Sequence, residues 1–195
     1  MGPRCRPQEG NMRALRIATA MCVAAALLSL SLATVAAHDD GDHQGDHQDT
    51  IWLAILRGKF ETPPRDTPAR GFALFSMDGG SVDYLIVVSK ISNVFAAHIH
   101  CGPPGVAAPV GVTLFMGTPG SGPVRGVLVR SSFTGPDAGN ACGWTSLADV
   151  VDNVTSGNAY VNVHTNDGMA PPNTGPGDFP GGEIRGQLRV AGEDD

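Results

Sequence analysis

Hydrophobic and polar positions alternate in short runs through most of this chain, and glycine, proline, asparagine and aspartate separate the runs. Successive side chains of a strand point to opposite faces, so such runs read as strands with one buried face. The candidates are Ile51–Leu56, Gly71–Met77, Val82–Val88, Val94–His100, Val110–Phe115, Val124–Phe133, Ala159–His164 and Glu183–Val190. Val82, Tyr84, Ile86 and Val88 alternate strictly, while Leu85 and Val87 add burial on the second face. One window is helical, Ser146–Asp152, with Ser146 or Thr145 as N-cap and Gly157 as the stop. Eight short strands without a strand–helix–strand rhythm predict an all-β fold. The expected architecture is an antiparallel, Greek-key-like sandwich or barrel of about eight strands with one short helix. The 26 glycines and 15 prolines fit as turn formers.

The same parity argument locates the candidate chemistry. In the fourth run, Phe95, Ala97 and Ile99 are expected on the apolar face, which sends His98 and His100 to the other. In the seventh, Val161 and Val163 go inward, and Tyr160, Asn162 and His164 go outward. In the last, Glu183, Arg185 and Gln187 alternate with Ile184, Gly186 and Leu188. If these strands are neighbours, His98, His100 and His164 converge as a metal site of the kind that takes copper or zinc. Tyr160, Asn162, Glu183 and Arg185 then surround it, with Glu183 and Asn162 as acceptors that could orient the rings. The alternative is a hydrogen-bonded polar cluster without metal. Glu183 and Arg185 share a face at i, i+2, which allows an ion pair or recognition of a carboxylate.

The two ends read differently from the middle. Arg13 and Arg16 precede the apolar run Ile17–Leu32, and Ala33-Thr34-Val35-Ala36-Ala37 follows it. That layout is a secretory signal peptide over residues 1–37, with Met12 as an alternative start; the competing reading is a retained membrane anchor. Residues 38–50, HDDGDHQGDHQDT, hold no large apolar side chain and are expected to be a disordered tail, either a solvating linker or a weak metal collector. The domain proper is expected over residues 51–190, followed by an acidic end at 191–195. Cleavage would leave an exported chain, secreted, periplasmic or on the cell surface, with no membrane span. It would also remove four arginines and one glutamate, taking the formal charge from −6 to −9. So acidic a chain excludes nucleic-acid backbone binding. Two of the four cysteines, Cys101 and Cys142, stay in the exported part; an oxidising compartment favours one disulfide between them over two separate thiols.

Several blocks of the sequence resemble the CHRD domain. They are Leu56-Arg57-Gly58 with Glu61 and Pro63-Pro64, Ala69-Arg70-Gly71, Ala97-His98-Ile99-His100 with Gly102 and Gly105, Tyr160-Val161-Asn162-Val163-His164-Thr165, and Pro180-Gly181-Gly182-Glu183-Ile184-Arg185-Gly186-Gln187-Leu188. That module is named for its repeats in chordin and is widespread in secreted bacterial proteins. The resemblance implies an extracellular β-sandwich, and a lone copy gives no reason to carry over chordin's partner. A looser resemblance runs to copper/zinc superoxide dismutase, in which His98 and His100 match paired copper ligands, His164 a third and Arg185 the active-site arginine. No histidine lies between His100 and His164, so the bridging and zinc-loop ligands of that family have no counterpart.

The expectation is therefore an extracytoplasmic binding or structural module, with an extracellular protein or a small ligand as partner and a His-based metal site in its sheet. The alternative is a copper-dependent redox protein. There is no Gly-x-Ser-x-Gly elbow or phosphate-binding loop to suggest a hydrolase or nucleotide enzyme.

Overall fold

A computed structural model describes residues 50–192. The predicted signal peptide, all of the His/Asp-rich tail except Thr50, and residues 193–195 lie outside the described residues. The described residues form nine strands: β1 Thr50–Arg57, β2 Arg70–Asp78, β3 Ser81–Ser92, β4 Val94–Cys101, β5 Val110–Met116, β6 Pro123–Phe133, β7 Ala159–Thr165, β8 Ile184–Gln187 and β9 Arg189–Val190. Among the described residues, one 3₁₀ turn, Gly58–Phe60, follows β1, and one α-helix, α1, spans Leu147–Thr155. The strands join one antiparallel sheet in the order β5-β4-β7-β8-β1-β2-β3-β6, with β9 paired to β1. Its end strands β5 and β6 come into contact, so the sheet curls into a nearly closed barrel, the predicted fold class.

Alternation fixes the inside. Trp52, Ala54 and Leu56 of β1, Phe75 of β2, Ile86 of β3, Ile99 of β4, Val161 and Val163 of β7 and Ile184 of β8 are fully buried in one apolar core. Helix α1 closes part of it with Val150 and Val154, an i, i+4 pair on one face. Ser146 is the N-cap, in a capping box with Asp149, and Gly157 (φ 73°) ends the segment. The Cys101–Cys142 disulfide ties the end of β4 to the loop ahead of α1.

Two local expectations need correction. The last predicted strand, Glu183–Val190, divides at Leu188, whose N–H bonds Ala159 O of β7 while the next two residues pair with β1. Pairing with β7 ends there, while β1, already the partner at Arg185, remains the neighbour of the last two residues; alternation alone does not reveal that. Phe95 does not share the apolar face with Ala97 and Ile99: its ring sits edge-on to His164 at 6.1 Å. The β4–β7 register is irregular between Val94 and Ala96, and a bulge of that kind reverses parity on one side of itself.

Candidate metal centre

β4, β7 and β8 lie side by side, and their register builds the site. His98 stands opposite Asn162, and Asn162 opposite Arg185; His100 stands opposite Tyr160, and Tyr160 opposite Gln187; His164 pairs with Ala96. The faces of these strands turned away from the apolar core therefore carry one polar grid. One ring nitrogen from each of His98, His100 and His164 lies within 4.8 Å of the others. His98 Nδ1 and His164 Nε2 are 3.1 Å apart. Ligands bonded to zinc or copper at about 2.0–2.1 Å in a tetrahedral arrangement lie about 3.3 Å from one another, so small rotations of the rings reach that spacing.

This face is outward in parity but not exposed. All seven residues of β7 are buried, and His100 and His164 are each only 7% exposed. The loops after β1, β4 and β7 form a second layer over the grid, and their backbone orients the rings. His100 Nδ1 lies 2.8 Å from Ala108 O, and His164 Nδ1 lies 2.9 Å from Pro180 O. A carbonyl only accepts, so each Nδ1 carries the hydrogen and each Nε2 presents its lone pair to the cluster. His100 Nε2 is buried with no hydrogen-bond partner. Burial also keeps the rings neutral. It pushes His164 down to about 3 and His100 down to about 4, against the raising pull of their hydrogen bonds to Pro180 and Ala108; the Arg185 charge adds to the lowering at His100. It lowers His98 as well, partly offset by Asp137. His164 Nε2 then accepts from His98 Nδ1–H, and the neutral rings of His100 and His164, with their lone pairs turned inward, are in the form in which histidine ligates metal.

The surrounding residues take roles that residue type alone did not assign. Tyr160 stacks on His100, with ring centroids 4.8 Å apart and 6° between planes. Its hydroxyl contacts Ala108, accepting from the N–H at 3.1 Å. Arg185 covers the other face of Tyr160, with Cζ 3.3 Å from the ring centroid. Its guanidinium donates to Val106 O at 2.8 Å and Pro103 O at 2.9 Å, pinning the loop after β4. Arg185 thus makes neither an ion pair with Glu183 nor a free carboxylate receptor. Glu183 precedes β8, and its carboxylate accepts from Thr67 Oγ1, Thr165 Oγ1 and Gly177 N. Neither it nor Asn162 orients an imidazole; backbone carbonyls do. Asn162 instead turns its amide toward Glu61 Oε2, 3.5 Å away.

Glu61 is the residue that alternation could not reveal, because it lies in a loop. It is 6% exposed, its Oε1 has no partner, and burial raises it to about 7 against the lowering pull of Arg185 and Arg65. Its only signal in the sequence was a place in a recurring motif block.

Neither a curated protein nor a solved structure matches the chain. The family model of the CHRD domain matches residues 52–188, which takes in most of β1, all of β2 to β8 and all three histidines. The chain belongs to the CHRD domain family.

Proposed function

We propose that this CHRD domain is an extracytoplasmic binding module that holds one copper or zinc ion through His98, His100 and His164. The supporting observation is the pair of backbone carbonyls that fix the tautomers of His100 and His164 and leave His100 Nε2 buried without a partner. A purely hydrogen-bonded cluster would have satisfied that atom, because an orphaned buried acceptor costs about 1–3 kcal/mol. Three imidazoles suit zinc or copper and leave a fourth position for water or a ligand. Export follows from the arginine-flanked apolar segment and small-residue stretch over residues 1–37, with cleavage before His38. The domain then occupies residues 51–190 between the two polar tails, and its partner is an extracellular protein or a small ligand.

A copper redox role gains less support, because Arg185 is committed to two carbonyls and the Tyr160 face. It is not poised to guide an anion to the imidazoles. The test uses the full chain with His38, His43 and His47 changed to Asn, so that the tail cannot mimic the site. Calorimetric titration with Cu(II) and Zn(II) should give one ion per chain, and Cu(II) should show a nitrogen-coordinated electron paramagnetic resonance spectrum. His100→Ala should abolish both. Retention of stoichiometric binding in His100→Ala, or no binding in the tail variant, overturns the assignment; superoxide turnover lost in His100→Ala would favour the redox reading.

A further inference from the structure

A second site lies on the outer surface of β1. Leu53 and Ile55 alternate with the core residues Ala54 and Leu56 and so face outward, where a central strand ordinarily carries polar side chains. They are 36% and 49% exposed, and Phe60 of the 3₁₀ turn is 45% exposed beside them. Three of the seven large hydrophobic side chains exposed among the described residues thus line one groove of about 560 Å³. Pro64 and Pro104 form part of its walls, and the volume falls in the range of small-molecule sites, about 300–1,000 Å³. A concave, largely apolar groove with a few charged groups at its edge is the form a small-molecule site takes.

The charges select the ligand. Four charged side chains line the groove; the two exposed ones, Lys59 and Arg189, are cations, while Arg185 is buried and committed to Pro103 O, Val106 O and the Tyr160 ring. The fourth, Glu61, is buried, and its Oε1 is withdrawn from the surface. Lys59 holds its ammonium 4.9 Å from the Phe60 ring centroid, where positive charge meets the apolar wall. Apolar walls with cations around them complement a molecule that is apolar along its length and anionic at one end. Concavity points to a single molecule rather than a flat lipid surface.

We infer that the groove binds one single-chain carboxylate amphiphile, its alkyl chain against Leu53, Ile55 and Phe60 and its head toward Lys59. This site is separate from the imidazole cluster and does not depend on its occupancy. Arg185 joins the two regions structurally, because it lines the groove and also holds Pro103 O and Val106 O.

The experiment titrates the full chain, without added metal, with dodecanoate and with dodecyltrimethylammonium, each below its micellar concentration. Wild type should bind one dodecanoate per chain, at least about tenfold tighter than the cation. Ile55→Asp should weaken dodecanoate by about tenfold, the loss expected for one buried aliphatic contact. Lys59→Glu should remove the preference for the anion while leaving the circular dichroism spectrum unchanged. Should Ile55→Asp fail to fold, Lys59→Glu alone decides, since Lys59 is exposed. Equal affinity for the two amphiphiles, or binding of neither, overturns the inference. So does co-sedimentation with anionic vesicles without binding of the monomeric anion, or a dimer that Ile55→Asp dissolves.

Discussion

The stability of the metal-free protein between pH 6.5 and 4.5 is set by two opposed groups of buried side chains, and their balance can be worked out. His100 and His164 ionise in the fold only near 4 and 3, against 6.5 in the unfolded chain. Above pH 6.5 both states hold neutral rings and nothing changes. Below it the unfolded chain takes up protons that the fold refuses, so each ring lowers stability by about 1.4 kcal/mol per pH unit. Glu61 acts in the opposite sense. Its folded value is raised to about 7 from 4.5, so the fold binds a proton through this window that the unfolded chain does not. Acidification therefore stabilises through Glu61 at the same rate of about 1.4 kcal/mol per unit. Two rings against one carboxyl leave a net loss of about 1.4 kcal/mol per unit, or about 3 kcal/mol across the window; His98, also lowered, adds to the loss. Asp149 and Asp178, both depressed below 3.8, lose their contributions only at more acid pH. Glu61→Gln keeps the shape, removes the opposing term and should double the slope to about 2.7 kcal/mol per unit. Urea unfolding in EDTA at half-unit steps of pH, followed by tryptophan fluorescence, measures both slopes. Equal slopes in wild type and Glu61→Gln would refute the reasoning about Glu61. A wild-type stability that rises as pH falls from 6.5 would refute the burial of the neutral rings.

Two further outcomes are expected. Replacing Cys101 and Cys142 together by Ser opens a crosslink of sequence separation 41 and should cost about 4 kcal/mol, read as a shift in the urea midpoint. Gly111→Ala should cost about 2–4 kcal/mol and alter tryptophan emission, because the added Cβ would meet the Trp144 ring at 2.1 Å; an unchanged midpoint would contradict that packing.

Much of the site was legible because β7 is regular. Val161 and Val163 inward, with Tyr160, Asn162 and His164 opposite, follows from a period of two, and no bulge interrupts its pairing with β8. Motif blocks pointed to the family, and strand spacing to the fold class. Strand adjacency was not legible, since β4 and β7 are far apart in sequence and pair only through the sheet order. Phe95 escaped because a register irregularity at Ala96 breaks alternation. Glu61, Ala108 and Pro180 escaped for a different reason. They sit in loops that fold over the polar face, and loop conformation follows from contacts with a sheet that parity does not describe. Glu183 was placed on the correct strand approach, but its carboxylate turns to Thr67 and Thr165, donors on segments that the period of the last strand says nothing about.

Because the imidazoles are oriented by the main chain at Ala108 and Pro180, the site has an unusual evolutionary latitude. Every amino acid supplies the same carbonyl, so the side chains at these two positions are free to drift without changing which nitrogen faces the cluster. Loop length has no such freedom. One residue gained or lost between Cys101 and Val110, or between Thr165 and Ile184, would carry the acceptor away from its ring. The histidines would then remain in the sequence while losing their fixed tautomer. Among relatives, the spacing of these loops should track the presence of the three histidines more faithfully than the identity of any residue within them.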